Sequence, residues 1–393
     1  MPPSKRPSAE RLHYRRSGLA GPRNADGWVP RFQHGRCWVR TMAVPALAAL
    51  LAGAPWYAAW AASGEGTSGN PVPSVAAHAS ASQAQAQAQA EIEDWVERIH
   101  RASREQSYRG SFVVWSSAGG MTSSRIWHAT DGKVQIERIE ALDGSPRTVF
   151  RKDDLVRTFL PKARVVKEER RDMPGLFPHL PQAESSAVLR HYRARFLGSD
   201  RVAGQDASIL WLEPRDGLRF GYRIWMARPS GLVVKLQTLG LRGQVLEQAA
   251  FSQIDFDTPP TVPQLAAQMD DTRGFRLLAV PLVKTTAREA GWQLSRPVAG
   301  FVPGDCYKRD PAVLARMPMP PLQCIFSDGL ATVSLFFEPY DAARHAGEPR
   351  RMDMGATQTL AQRVAGGSIW LTAVGEVPQE TLRQLVEQIE PVR

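Results

Sequence analysis

The stretch at residues 218–256 constrains the fold most strongly, because it holds three runs of strand-forming residues separated by two turn signals. The first turn signal is the Pro-Ser-Gly at 229–231, and the second lies between the glycines at 240 and 243. Glycine and proline between such runs are typical of tight connections between antiparallel strands. The stretch therefore predicts a three-stranded antiparallel meander.

Side chains along the first run alternate between two faces, because successive residues of a strand point to opposite sides. The two sets are Phe220, Tyr222, Ile224 and Met226 on one face, and Arg219, Arg223 and Trp225 on the other. The whole stretch lacks His, Cys and Asn, and its only acidic residues are Glu247 and Asp255. Such a sheet offers a surface for binding but few groups for acid–base catalysis.

The net charge of +10 comes mainly from the first 61 residues, which hold nine Lys and Arg against two acidic residues. The rest of the 393-residue chain carries a net charge of only +3. A nearly neutral folded part argues against a nucleic-acid partner. The length allows two ordinary domains, and the 43% hydrophobic content is enough to build their cores.

The segment 1–61 has the features of an extended N-terminus that ends in a signal peptide. Arg36 and Arg40 precede an apolar run at 42–60, and Ala59 and Ala61 fit a small-x-small cleavage site. A membrane anchor is the alternative, but glycine and proline interrupt the run, which is close to the lower length limit for a spanning helix. An exported chain is therefore expected.

Cleavage of the signal peptide would remove Cys37 and leave two cysteines, Cys306 and Cys324. An even pair in an exported chain predicts a disulfide, here closing a loop rich in Pro and Met with little core of its own. The alternatives are weaker, because there is no CxxC redox motif and two cysteines without a nearby His make a poor zinc site. No metal site and no cofactor are expected.

The remaining sequence divides into a linker and two domains. Residues 62–90 are rich in Gly, Ser, Pro and an Ala-Gln repeat and predict a disordered linker, although the repeat could also extend the following helix. A large domain is expected at 91–257, opening with an amphipathic helix and continuing as an up-and-down sheet whose Asp-Gly pairs indicate hairpins. A second linker at 258–272 and a small α+β domain at 273–393 follow, the latter closing on a helix from Pro378.

Catalytic motifs are missing from the sequence. There is no HExxH, no GxSxG and no phosphate-binding loop opening a helix. The most prominent acidic pair, Glu137 and Glu140, falls on opposite sides of one predicted strand and is expected to be solvated. The sequence therefore favours a binding protein over an enzyme.

Several segments together resemble the RseB/MucB family of periplasmic negative regulators of the sigma-E type envelope stress response. The resemblance covers nearly all of residues 91–393 and rests on YRGSFV at 108–113, HATDGK at 128–133, ERIEALDGSPRTVFR at 137–151, DRVAG at 200–204, the meander at 219–254 and SDGLATVSLFFEP at 327–339. It implies an α+β fold whose large domain is an antiparallel half-barrel sheet with helices, similar to the lipoprotein carrier and LppX. The extended N-terminus and the Cys306–Cys324 segment depart from the family.

The resemblance also implies a location and a function. A family member is expected in the periplasm, where it binds the periplasmic domain of a RseA/MucA-like anti-sigma factor and shields it from regulatory proteolysis. Lipid or lipopolysaccharide fragments are expected to release that partner. The alternative is a periplasmic lipid or lipoprotein carrier that uses the same apolar face, and the sequence leaves self-association into a homo-oligomer open.

Candidate site residues follow from the alternation and from the family motifs. The residues expected to face a lipid are Phe112, Val114, Ile126, Phe220, Tyr222, Ile224 and Leu236, for which ordinary core packing is the alternative. Those expected to be exposed to the partner are Arg219, Arg223, Ser327, Asp328, Gly329 and Leu330, the last four of which could simply form a hairpin turn.

Overall fold

The computed structural model describes residues 75–170, 177, 185–309, 322–345 and 350–392. The expected signal peptide, Cys37 and the first part of the 62–90 linker lie outside these residues. In the part of the chain that is described, no helix combines the length and the apolar character needed to cross a membrane.

Four α-helices accompany the sheets: α1 Val75–Glu105, α2 Ser185–His191, α3 Val262–Asp270 and α4 Gln379–Gln388. Helix α1 already begins at Val75, so from that residue onward the predicted linker is a helical extension, which was the alternative interpretation. Ala and Gln tolerate a helix well, which explains why the repeat continues it. The predicted stripe of Ile92, Trp95 and Ile99 is buried.

The first sheet has twelve strands, in the order β12-β6-β5-β4-β3-β2-β1-β11-β10-β9-β8-β7. Neighbouring strands are antiparallel except for β12, which pairs parallel with β6. The strands are β1 Tyr108–Ser116, β2 Met121–Thr130, β3 Gln135–Ala141, β4 Thr148–Lys152, β5 Leu155–Leu160, β6 Val165–Arg170, β7 Tyr192–Val202, β8 Gln205–Pro214, β9 Gly221–Ala227, β10 Val233–Leu239, β11 Val245–Asp255 and β12 Arg276–Val280.

Strands β9, β10 and β11 confirm the predicted meander. Its first turn contains Gly231, which has a φ of +75°. A Cβ at this position would lie 3.1 Å from the carbonyl oxygen of Arg98 and 3.2 Å from Cβ of Ala102, both in α1. Glycine is therefore required both by the left-handed backbone and by the close approach of the helix.

The range 258–272, expected to be a linker, is mostly helical. Thr261 and Gln264 form a capping box at the start of α3, and Pro263 lies in its first turn. Leu265 and Met269 of α3 are buried against strands β2–β6. Because β12 also belongs to the first sheet, that sheet extends past the expected boundary at residue 257.

The second domain contains a seven-stranded sheet in the order β13-β15-β16-β17-β20-β19-β18 and a two-stranded sheet of β14 and β21. Helix α4 contributes Leu382, Leu385 and Val386 to the core of this domain. The strands are β13 Leu282–Thr285, β14 Trp292–Leu294, β15 Val302–Arg309, β16 Leu322–Ser327, β17 Thr332–Pro339, β18 Arg350–Met354, β19 Thr357–Val364, β20 Ile369–Gly375 and β21 Ile389–Pro391.

Cys306 and Cys324 form a disulfide between the neighbouring strands β15 and β16. Both residues are buried and belong to the main apolar cluster of the second domain. The disulfide was expected to stiffen a loop with little core, but it lies inside a packed core. The Pro- and Met-rich sequence that it encloses, residues 310–321, lies outside the described residues.

Candidate functional site

Six of the seven residues expected to face a lipid lie on one face of the first sheet. The strand registers join Val114, Leu236 and Ile224 into one row that crosses β1, β11, β10 and β9. Phe112, Ile126 and Tyr222 share this face because they lie at alternate positions of the same or the neighbouring strands. Phe220 precedes β9 and is buried. Whether these side chains contact lipid remains a prediction.

The described helices cover part of this face. Ile92, Trp95 and Ile99 of α1 pack with Tyr222 and Ile224 in one apolar cluster, to which α2 contributes Val188. Phe112 and Ile126 are buried in a second cluster. In this conformation the chain's own side chains occupy the apolar face, as the core-packing alternative requires.

Phe177 packs against both clusters. Its ring centroid lies 5.6 Å from that of Phe112 and 5.3 Å from that of Phe251. The sequence around it, rich in proline and charge, predicts an irregular loop and gave no sign that this side chain would reach the sheet. Among the described residues, Phe177 thus makes contact with both apolar clusters.

Arg219 and Asp328 join the two domains. Nε of Arg219 donates to Oδ2 of Asp328 over 2.6 Å, and both side chains are 0% exposed. Arg219 also donates to the carbonyl oxygen of Ala299 over 2.7 Å and pairs with Asp216. The expectation that Arg219 and Asp328 are exposed to a partner is therefore wrong, because these two residues bind each other.

The remaining residues of the expected partner surface form a turn that holds Asp328. Oδ1 of Asp328 accepts hydrogen bonds from the backbone N–H groups of Leu330 and Ala331, and the N–H of Gly329 donates to Ser327 Oγ. Leu330 packs against the core of the first domain. The hairpin-turn alternative thus describes this segment, and the turn positions the acidic partner of Arg219.

Apolar contacts cross the same boundary in both directions. Leu218 of the first domain packs against the core of the second, as Leu330 of the second packs against the core of the first. The hydroxyl of Thr381 in α4 donates to the carbonyl oxygen of Leu218. The buried ion pair therefore lies within a packed and hydrogen-bonded contact, which we call the Arg219 junction.

Arg223, the other arginine expected at the partner surface, lies on the face of β9 opposite to Tyr222 and Ile224. It pairs in register with Trp211 of β8 and Gln237 of β10, and its guanidinium carbon lies 5.9 Å from the Trp211 ring centroid. Arg195 lies over the same ring at 4.1 Å. Arg223 is half-buried, and its contact with a partner remains a prediction.

Titratable groups around the Arg219 junction are strongly perturbed. Burial raises the pKa of Tyr192 and Tyr222 well above the usual value for tyrosine, and the negative charge of Asp328 adds to both shifts. Burial, with the charge of Arg219, lowers the pKa of His191. Tyr192 Oη also lies 3.4 Å from Oδ2 of Asp328. Tyr192 thus adds a hydrogen bond to the buried ion pair.

One further difference concerns an acidic residue. Glu137, expected to be solvated, is buried and lies 3.4 Å from the guanidinium of Arg151. The described residues contain no group of three or more His, Cys, Asp or Glu side chains that could hold a metal ion.

The described residues form a two-domain α+β protein, joined by a buried ion pair and with a large, mainly antiparallel sheet in the first domain. The sequence model of the MucB/RseB N-terminal domain matches residues 91–271, and that of the MucB/RseB C-terminal domain matches residues 286–390. The chain belongs to the MucB/RseB family, as the sequence motifs indicated.

Curated relatives agree with this assignment. The chain is 30% identical over 306 residues to the sigma factor AlgU regulatory protein MucB of Pseudomonas aeruginosa, an alignment that covers 76% of this chain and 90% of that protein. It is 22% identical over 295 residues to the sigma-E factor regulatory protein RseB of Escherichia coli K12, covering 75% and 89%.

Solved structures of MucB share the fold. The chain resembles the Pseudomonas aeruginosa MucA/MucB complex with a TM-score of 0.60 and 26% identity, over 77% of this chain and 99% of that chain. A crystal structure of MucB in complex with the periplasmic part of MucA gives a TM-score of 0.57 and 27% identity, over 77% and 99%. The α+β class with a large sheet is therefore confirmed.

Proposed function

We propose that the chain is a periplasmic negative regulator that binds the periplasmic domain of a RseA/MucA-like anti-sigma factor. The observation that carries the proposal is the match of both domains to a family whose member MucB has been crystallised with MucA. The apolar sheet without a catalytic motif supports a binding role rather than an enzymatic one.

A direct binding measurement tests this proposal. The purified chain is immobilised, and the periplasmic segment of the anti-sigma factor from the same organism is passed over it at low and at physiological salt. A saturable complex is expected under both conditions. Failure to bind at low salt, where electrostatic attraction is strongest, would remove the proposal. A fractionation of cells for the cleaved chain checks the periplasmic location.

We further propose that bound regulator shields the anti-sigma factor from regulatory proteolysis. Shielding needs the complex to keep the cleavable segment away from the protease, so its extent should follow the occupancy of the complex. Cleavage of the anti-sigma segment is timed with the purified regulatory protease while the chain is titrated. Cleavage that is unaffected at saturating chain would contradict shielding.

Release of the partner by lipid or lipopolysaccharide fragments is the finer part of the proposal. Phe177 favours it, because its aromatic side chain packs against both apolar clusters and its displacement would open apolar surface to a lipid. A lipid can release the partner only if it binds the partner-free conformation better. Lipid is therefore added to the preformed complex at a constant detergent concentration, and the release of the partner is measured. Tight lipid binding without any partner would favour the alternative, a lipid or lipoprotein carrier.

A further inference from the structure

A polar row crosses the first sheet at one end of its apolar face. In register, Tyr222 of β9 pairs with Thr238 of β10, Thr238 pairs with Glu247 of β11, and Glu247 pairs with Ser116 of β1. Side chains that are paired in register share one face of a sheet. Three hydroxyls and one carboxylate therefore stand side by side, next to the row of Val114, Leu236 and Ile224.

The second domain approaches this row. Ser116 Oγ donates to the carbonyl oxygen of Met354 over 3.3 Å, and a Cβ on Gly355 would lie 3.1 Å from the carbonyl oxygen of Leu246. Glu376 directly follows β20 of the same domain. Gly375 pairs in register with Gln358, whose Nε2 donates to the carbonyl oxygen of Gly355 over 2.9 Å. Glu376 therefore lies at the same edge of the second domain as Gly355, and its charge raises the pKa of both Glu247 and Tyr222.

These groups have no partners of their own in the part of the chain that is described. No hydrogen bond or ion pair reaches the carboxylates of Glu247 and Glu376 or the hydroxyls of Tyr222 and Thr238. Tyr222 is only 7% exposed and Thr238 only 4%, so each hydroxyl belongs to a residue that is more than nine-tenths buried. Arg219, whose charge acts on Tyr222, already binds Asp216, Asp328 and the carbonyl oxygen of Ala299.

The space beside these groups, which we call the recess, is open to solvent, because Glu376 is exposed and Glu247 is only half-buried. Burial raises the pKa of the Glu376 carboxyl. Burial likewise raises the pKa of Glu247, and Glu376 adds to that shift.

Such a recess suits a cation with several N–H donors. Two carboxylates close together repel each other, and a positive charge between them removes the repulsion. A guanidinium or ammonium group also supplies donors for the carboxylates and for the hydroxyl oxygens. A divalent metal ion fits less well, because Ca²⁺ takes six to eight oxygen ligands.

We propose that Glu247 and Glu376, together with the hydroxyls of Tyr222 and Thr238, form a recess between the two domains that receives one Lys or Arg side chain of the partner polypeptide. The inference rests on the proposed function and names the side chain by which that partner is recognised. The charged or titratable groups around the recess are Glu247, Glu376 and Tyr222, with Asp328 and Arg219 acting on Tyr222.

The recess is first tested without any partner. The full chain is titrated with arginine amide at pH 8 while the Tyr222 ring signal, identified with Tyr222→Phe, is followed by NMR. The wild type is expected to show a saturable shift, and Glu247→Gln combined with Glu376→Gln should weaken binding about tenfold or more. The control Glu97→Gln removes an exposed carboxylate paired with Arg101 and should leave the titration unchanged.

Three results of this titration would overturn the inference. The first is an unchanged affinity in the double Gln variant, and the second is equal loss in the Glu97→Gln control. The third is a saturable shift of the Tyr222 signal with CaCl₂ at matched ionic strength in a chain that does not respond to arginine amide, which would assign a metal site instead. Thermal unfolding at pH 8 separates misfolding from lost binding, because removal of the two like charges should keep or raise the melting temperature.

The partner is then tested by a double-mutant cycle. Each Lys and Arg of the anti-sigma segment is replaced in turn by Met, and its affinity is measured for the wild type and for the double Gln variant. Replacement of one basic residue is expected to lower the affinity for the wild type about tenfold and to change the affinity for the double Gln variant little. Equal losses on both proteins at every position would overturn the inference. A segment that fails to bind the wild type contradicts the proposed function, and the arginine amide titration then decides on the recess alone.

Discussion

Arg219 and Asp328 form a fully buried ion pair, 2.6 Å from Nε to Oδ2, between residues that are 109 positions apart and belong to different domains. Such a pair fixes the relative position of its two elements, because moving either partner leaves a charge in a medium that solvates it poorly. Beside the pair, Leu218 of the first domain packs against the core of the second, and Leu330 of the second packs against the core of the first. The domain contact therefore depends strongly on this single pair.

Asp328→Asn is expected to lower the free energy of unfolding by about 3 to 5 kcal/mol, because it leaves Arg219 buried with one carboxylate fewer. Urea denaturation measures the loss. As a control, Glu213→Gln disrupts the exposed pair with Arg195 and should change stability by about 1 kcal/mol or less. Equal small effects of both substitutions would show that the Arg219 junction does not hold the domains together.

The contribution of Glu247 to stability is expected to fall between about pH 5 and pH 8. Burial and the charge of Glu376 raise the pKa of Glu247 to about 7, well above the usual value for glutamate. A group whose pKa is raised by folding favours the folded state below its unfolded pKa, and this contribution is lost as pH rises through the folded value. After allowance for solvent screening, Glu247 should account for about 1 to 2 kcal/mol.

Glu247→Gln removes this titration and should flatten the pH dependence. Chemical denaturation of the wild type and the variant at a series of pH values gives the slope of the free energy of unfolding against pH for each protein. Glu97→Gln, which changes an exposed carboxylate, should keep the wild-type slope. If the Glu247→Gln variant retains the full pH dependence of stability, that dependence comes from other groups.

Local patterns located the strands well, because the two-residue period of a strand can be read directly from alternating side chains. The meander of β9, β10 and β11 and the shared face of Val114, Leu236 and Ile224 follow from that period. Helix α3 was missed although its signals were present. Thr261 and Gln264 have the spacing of a capping box, and Pro263 fits the first helical turn.

The Arg219 junction could not be found in this way. Arg219 precedes β9, which begins at Gly221, so the alternation that placed it on the wet face did not apply to it. Its burial depends on Asp328, which is distant in sequence and brought near only by the tertiary fold. The same reason hid the approach of Glu376 to Glu247, and Phe177 lies in a segment without any periodic pattern.

Replacement of both Cys306 and Cys324 by Ala is expected to lower the free energy of unfolding by about 3 kcal/mol. The disulfide closes a loop with a sequence separation of 18, and opening a loop of this size raises the entropy of the unfolded chain by roughly that amount. Urea denaturation with and without reductant provides the measurement. Reductant should destabilise the wild type and leave the double variant unchanged. A reductant effect of equal size on both proteins would show that the loss of stability does not come from the disulfide.

Phe177→Ala is expected to open the apolar face between Phe112 and Phe251, because the ring contacts at 5.6 and 5.3 Å disappear. Deleting a packed aromatic side chain exposes apolar surface and leaves room for an apolar ligand. The variant should therefore bind a fluorescent fatty acid more tightly than the wild type does, at some loss of stability. Phe196→Ala is the matched control, since Phe196 is exposed and its ring contacts Trp95. If both variants gain affinity equally, the gain reflects general loosening, and Phe177 does not occupy a lipid site.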